Sequence, residues 1–182
     1  MPDKKQEIID VATRAVKRDG LRSVSFRTLA DEVSVKSSSV HYHFPTKHDL
    51  AATLVEDYTE GFVQRLRDID SKNNTVAGKL EAVVDLFADV LAGSDLCLCG
   101  MLASEVTSLD KPTRQALRTF FNKTESWLSA IFEASEGVST SLTSSQAAQV
   151  FLSGLEGALL IDRVDDSQER LDAMRAWARS LK

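Results

Sequence analysis

Residues 23–50 read Ser-Val-Ser-Phe-Arg-Thr-Leu-Ala-Asp-Glu-Val-Ser-Val-Lys-Ser-Ser-Ser-Val-His-Tyr-His-Phe-Pro-Thr-Lys-His-Asp-Leu. The spacing predicts two short helices around a tight turn, followed by the capped start of a third. The first helix sets Phe26, Leu29, Ala30 and Val33 at helical steps, and the second sets Val40 and Phe44 four apart. Each therefore offers one apolar stripe to a shared core. What the core leaves outside on the second helix is Ser37, Ser38, Ser39, His41, Tyr42 and His43, all hydrogen-bonding types with no acid among them. Small hydroxyl side chains at such a helix start can approach phosphates and base edges without steric or like-charge penalty. Lys47 supports the same reading, because a cation in the first turn of a helix opposes the macrodipole unless an anion, such as a DNA phosphate, sits nearby. Thr46 with Asp49 three residues on is a capping-box variant that fixes where this helix begins.

The pattern resembles the DNA-binding domain of the tetracycline-repressor-like (TetR) family of transcriptional regulators. That family runs Arg-x-Leu/Ile-Ala, a Gly-Val turn, a small-residue recognition helix, then Tyr-x-x-Phe-x-x-Lys-x-x-Leu; Arg27, Leu29, Ala30, Val35, Ser38, Ser39, Phe44, Lys47 and Leu50 match it. Ser34 stands where the family usually has Gly, Val33 where it has Ala, and His41 where it has Tyr. A positive φ at Ser34 would cost ~1 kcal/mol or more. On this reading Ser25, Tyr42, His43 and Lys47 anchor phosphates, Arg27, Ser37, Ser38, Ser39 and His41 are candidates for base edges, and Lys36 joins the DNA-facing set. Arg27 is the best candidate for guanine, through a bidentate contact worth ~1–3 kcal/mol of discrimination. The blander reading of Ser37–Ser39 is a helix start rich in capping residues, none of which reads a base.

Charge is distributed unevenly along the chain. The 182 residues carry a net charge of −5, but residues 1–50 hold nine Lys/Arg against seven Asp/Glu while residues 51–182 hold thirteen against twenty. All three histidines, His41, His43 and His48, also lie in the first segment. DNA contact is thus expected at the N-terminal end, with the rest facing other partners. A composition of 43% apolar and 27% charged residues suits a soluble globular chain, and few Gly (8) and Pro (3) favour helices. The charged start lacks a signal-peptide pattern and the longest uncharged run, residues 137–155, is too rich in Ser, Thr and Gln to span a membrane. A cytoplasmic protein without a membrane partner is expected.

Periodicity extends helices over the remainder. The first is expected from about Lys4 to Asp19, ending at Gly20, and a long one from Lys47 to about Asp70 carries Leu50, Leu54, Tyr58, Phe62, Leu66 and Ile69. Others are expected over about Val76–Leu91, Leu96–Thr107 and Pro112–Glu136. Thr143-Ser-Ser-Gln146 reads as a capping box opening a helix to about Ile161, and Asp166-x-x-Glu169 resembles another, opening the last helix. The expected fold is all-α with nine helices: a three-helix helix-turn-helix DNA-binding domain over residues 1–46, and a helical ligand-binding and dimerisation domain over residues 47–182.

The helix from Thr143 is apolar nearly all round, with small residues at Ala147, Gly154, Gly157 and Ala158. Such a helix is covered on more than one side, either by a monomeric core or by a second copy. The resemblance favours a homodimer, since TetR-like regulators pair through their last two long helices; the candidate interface is Phe151, Gly154, Leu155, Ala158, Leu159, Met174 and Trp177. It also implies a small-molecule pocket for an unidentified effector in the central helices, with Phe62, Phe87, Asp89, Met101, Glu105, Phe120, Phe121 and Trp127 as candidate lining. Taken singly, the aromatic residues suit a core as well as a pocket wall.

Cys97 and Cys99 raise the idea of a thiol sensor, but residues two apart on a helix point ~200° from each other, so they neither chelate one metal nor close an unstrained disulfide. Buried cysteine more often serves as a small hydrophobe. His41 and His43 share that spacing, so no metal site is expected. No phosphate loop, nucleophile elbow, zinc-protease helix or dinucleotide turn is present, and neither catalytic residues nor a cofactor is expected. The sequence therefore points to a ligand-responsive regulator bound to a double-stranded DNA operator, most often a repressor in proteins it resembles. The alternative is a DNA-binding regulator without a small-molecule ligand, controlled by protein partners or by modification of Cys97 or Cys99; an enzyme ranks last.

Overall fold

The computed structural model describes residues 3–135 and 141–181. Among these lie nine α-helices, α1 (Lys4–Asp19), α2 (Phe26–Glu32), α3 (Ser37–His43), α4 (Lys47–Lys72), α5 (Val76–Ala92), α6 (Leu98–Ser104), α7 (Lys111–Glu133), α8 (Ser144–Asp165) and α9 (Glu169–Ser180). Two 3₁₀ turns, Leu21–Ser23 and Val106–Ser108, complete the regular structure, and the described residues hold no strand. The all-α expectation holds.

The ends of the helices show why the sequence folds this way. Asp3 caps α1 by accepting from the Lys5 N–H at 2.9 Å, and Gly20 closes it with a φ of 81°. The Thr143–Gln146 box is formed reciprocally: Thr143 Oγ1 accepts from the Gln146 N–H (3.2 Å) and Gln146 Oε1 from the Thr143 N–H (2.9 Å). Asp110 accepts from the Thr113 N–H at 3.0 Å, which places Pro112 in the first turn of α7, where a missing N–H costs nothing.

Three expected ends shift, and α8 runs on to Asp165, past the expected Ile161. α6 stops at Ser104 because the chain tightens into the 3₁₀ turn, and α7 stops at Glu133, so the expected end at Glu136 lies outside the described residues. The expected capping box at Asp166 is not formed. Asp166 is the left-handed residue that ends α8 (φ 48°), and the orphan amides of α9 are satisfied by Asp162 instead. Its carboxylate accepts from the Arg170 and Leu171 N–H groups at 3.0–3.2 Å and from the Arg170 guanidinium at 3.0 Å. Burial opposes ionisation of Asp162, but these hydrogen bonds outweigh it and hold the carboxyl below its usual range.

Packing divides the chain into two compact units, Met1–Glu60 with Leu98–Phe120, and Gly61–Cys97 with Phe121–Lys182. The sequence motif alone sets a boundary after residue 46, whereas packing groups the first half of α4, all of α6 and the start of α7 with the three N-terminal helices. In the first unit Ile8, Ala12 and Val16 of α1, Leu29 and Ala30 of α2, Val40 of α3, Phe44, and Leu50 and Leu54 of α4 are buried. Phe44 is 1% exposed, a burial worth roughly 1.5–3 kcal/mol, so it fixes α3 against the head. In the second unit, α5 packs on α9 and α8, around Leu80, Val83, Val84, Phe87, Phe151, Leu155 and Leu171.

Candidate nucleic-acid interface and effector unit

The turn between α2 and α3 depends on Ser34, whose φ of 55° is the left-handed conformation that glycine usually supplies. The Val35 N–H donates to the Ala30 carbonyl (2.9 Å) across this turn, so α3 leaves α2 in a fixed direction. Ser25 caps α2, its Oγ accepting from the Thr28 N–H at 3.1 Å. Thr46 and Asp49 cap α4 as their spacing implies: Asp49 Oδ2 accepts from the Thr46 N–H (2.9 Å) and Thr46 Oγ1 accepts from the Asp49 N–H (3.1 Å). The helix-turn-helix is thus held at each junction by its own side chains.

α3 buries Val40 and turns the rest outward. Lys36, Ser38, His41 and Tyr42 are exposed, Tyr42 at 84%, while Ser37, Ser39 and His43 are half-buried. His41 meets the ring of Phe26 edge-on at 4.7 Å, and Tyr42 meets His43 at 5.3 Å, so both exposed rings are braced from behind. Phe26 is accordingly half-buried, covered by His41. Arg27 on α2 is exposed, and neither it nor the Lys36 ammonium has a hydrogen-bond or ion-pair partner among the described residues. Lys47 differs: its Nζ donates to the Leu21 carbonyl (3.0 Å) and reaches the Arg22 carbonyl (3.4 Å). Those carbonyls supply the negative partner that its place in a helix first turn demands, so the macrodipole alone does not require a phosphate there.

The eight residues offered as pocket lining have varied surroundings. Phe62 and Phe87 meet edge to face at 6.5 Å, each 3% exposed, as core residues. Phe120 is 1% exposed and packs on Tyr58 at 5.7 Å. Met101 lies against Gly20, and Glu105 accepts from the Leu21 N–H at 2.9 Å. Asp89 is exposed and Phe121 half-buried. Trp127 lines two clefts of the second unit. One, about 360 Å³, is shared with Asp70, Thr75, Val76, Lys79 and Ile131; the other, about 430 Å³, with Val63, Leu66, Arg67, Asn122 and Lys123. Trp127 Nε1 and Lys79 Nζ both donate to Asp70 at 2.7 Å. Partial burial opposes that charge, yet the two hydrogen bonds prevail and hold Asp70 below the usual carboxylate range. Sequence spacing did not single out Asp70 and Lys79, since they reach Trp127 only through tertiary packing.

The candidate interface residues on α8 and α9 differ in exposure. Phe151 and Leu155 are fully buried within their own unit, Leu159 is 1% and Ala158 5% exposed, and Gly154 faces Met174 Sδ so closely that an added Cβ would stand 3.0 Å away. Met174 and Gly154 are half-buried. The uncovered apolar side chains of α8 are Val150, Leu160, Ile161 and Val164, 47–83% exposed, which the helical period places on the side opposite Phe151 and Leu155. Trp177 is 37% exposed with its ring against Phe151 at 5.4 Å. The all-round apolar character of α8 was visible in the sequence, but not which half the monomer would cover.

Cys97 and Cys99 are both buried. Glu156 of α8 hydrogen-bonds the Cys97 thiol, and burial together with that neighbour pushes its carboxyl well above the usual range. Among the described residues no group of His, Cys, Asp and Glu is placed to hold a metal ion, and no helix is long and apolar enough to cross a membrane.

Known proteins share this arrangement. The model of the bacterial regulatory proteins of the tetR family matches residues 8–54, and that of the LmrA/YxaF-like transcriptional regulator C-terminal domain matches residues 76–176. The nicotine-responsive transcriptional repressor HdnoR of Paenarthrobacter nicotinovorans is 26% identical over 133 residues, 72% of this chain and 69% of that protein. The repressor KstR2 of Rhodococcus jostii is 25% identical over 81 residues, 44% of this chain and 40% of its own length. A TetR transcriptional regulator of Legionella pneumophila superposes with a TM-score of 0.90 at 27% identity, covering 98% of this chain and 96% of its own. A TetR-family regulator of Agrobacterium tumefaciens shares the fold, with a TM-score of 0.88 at 24% identity over 95% and 94% of the two chains.

Proposed function

The chain belongs to the TetR family of DNA-binding transcriptional regulators, and from that premise we propose that it acts as a homodimeric repressor whose α3 reads an operator and whose second unit takes a small organic effector. The observation that carries the DNA reading is the outward face of α3 and its neighbour Arg27: hydrogen-bond donors held on a rigid three-helix frame, most of them exposed, with no acid on α3. Lys36, Tyr42, His43, Ser25 and Lys47 approach phosphates in this reading, while Arg27, Ser37, Ser38, Ser39 and His41 face base edges. Lys47 keeps its carbonyl partners and presents its remaining N–H to the backbone of the duplex.

Dimerisation is supported by the exposed apolar side chains of α8, Val150 and the cluster Leu160, Ile161 and Val164, since large apolar side chains gathered on one face mark a surface that a partner covers. Effector control is supported by the clefts beside Trp127 and by the match to a nicotine-responsive repressor. An effector that favours one arrangement of the paired heads over another shifts the protein off its operator by its difference in affinity for the two. Both cysteines are buried, which disfavours a thiol switch as the first control.

Capture of fragments from the source genome on purified protein tests the proposal. Enrichment of a few fragments sharing one motif is expected, and small molecules processed by the products of adjacent genes should release them. Uniform recovery of all fragments would contradict it.

A further inference from the structure

Between α1 and α2 the backbone makes one tight turn, and both faces of its Leu21 residue are gripped by side chains from elsewhere in the first unit. Glu105, the residue directly after α6, accepts from the Leu21 N–H through Oε1 at 2.9 Å, and its Oε2 stands 3.6 Å from Arg22 Nε. That Oε2 is buried and has no hydrogen-bond partner. From the other side, Lys47 in the first turn of α4 donates to the Leu21 and Arg22 carbonyls at 3.0 and 3.4 Å. Gly20 makes the approach possible. Its φ of 81° suits glycine, and a Cβ there would stand 2.6 Å from Glu105 Oε1.

The turn has no other means of satisfying the Leu21 amide, because Leu21 opens the 3₁₀ turn and its N–H lacks a backbone carbonyl partner. Four residues later Ser25 caps α2, and α2 leads directly into α3. Lys47 follows α3 by four residues. The clamp therefore touches the helix-turn-helix at its entrance and its exit. His48 Nε2 donates to the Ser108 carbonyl (3.1 Å) and Thr113 Oγ1 to the His48 carbonyl (3.4 Å), so the segment after α6 is fastened to the start of α4 as well.

We propose that Glu105 is a positioning residue for DNA binding, which fixes the entrance of the helix-turn-helix by accepting from the Leu21 N–H. The proposal rests on the DNA-binding reading above. The carboxylate touches no base or phosphate. It acts through the Leu21–Arg22 peptide.

The test uses the full chain and a duplex that the wild type selects from a random pool. Glu105→Ala leaves the Leu21 N–H without an acceptor, and affinity for the duplex should fall about tenfold with base preference and salt slope unchanged. Glu105→Gln keeps an acceptor oxygen at the same reach and should bind within about threefold of the wild type. Glu105→Asp, charged but one methylene short, should resemble Glu105→Ala. Amide hydrogen exchange at Leu21 should speed up in Glu105→Ala and Glu105→Asp, and stay slow in Glu105→Gln. Unchanged affinity in Glu105→Ala, or equal loss in Glu105→Gln and Glu105→Ala, overturns the proposal. A wild type that selects no duplex overturns the DNA-binding reading beneath it, a result distinct from either.

Discussion

Individual side chains here are set by their neighbours more than by their type. Arg27 and Lys47 are both cations of the head, yet Arg27 is free of partners among the described residues while Lys47 already holds two carbonyls. Arg27→Ala should therefore relax preference at one base position, with a loss of ~1–3 kcal/mol on the selected site and little on other sequences. Lys47→Ala should weaken all sequences alike and lower the salt slope by about one. Anisotropy titrations over a salt series separate the two outcomes. Glu156 gives a second prediction, on stability. Its carboxyl is pushed up by burial and by Cys97, so the folded state binds a proton that the unfolded state releases first. Stability from this group is complete below the ordinary glutamate range and declines as pH rises through the folded-state value. Glu156→Gln should melt with a flatter pH dependence than the wild type above the ordinary glutamate range. An unaltered profile would show that Glu156 is ionised in the folded protein.

At the level of the element, the helices themselves were legible in the sequence because their stripes and caps are local. Ile8, Ala12 and Val16 lie on one face of α1, and the Thr143–Gln146 and Thr46–Asp49 pairs reach only three residues along the chain. The N-cap of α9 was not legible, because Asp162 reaches it from the preceding helix across a left-handed turn that no spacing rule encodes. Asp162→Ala should consequently cost about 2–4 kcal/mol, by orphaning two amides at once, whereas Asp166→Ala, which caps nothing by its side chain, should cost far less. Denaturant melts of the two variants decide this. The turn between α2 and α3 follows the opposite logic. Ser34 sits at a φ of 55° and is exposed, so Ser34→Gly should raise stability by ~0.5–1 kcal/mol without disturbing α3.

Across the whole molecule, the helix-turn-helix could be read from the sequence, whereas the exposed apolar side of α8 could not. The DNA-facing set follows from one short motif, whereas the dimer face depends on which half of α8 its own unit covers, a tertiary outcome that an apolar pattern on all sides leaves open. Val164→Glu, at the most exposed point of this side, should leave the chain folded and monomeric by light scattering, and should lower DNA affinity because each head then binds alone. A two-fold pair of heads predicts half-sites about one helical turn apart, or a multiple of it, on one face of the duplex. Hydroxyl-radical footprinting of the wild type on its selected site tests that account most directly. Two protected blocks symmetric about a central point, each lost together in Val164→Glu, are predicted. A single asymmetric block, or protection that a monomer reproduces in full, would contradict it.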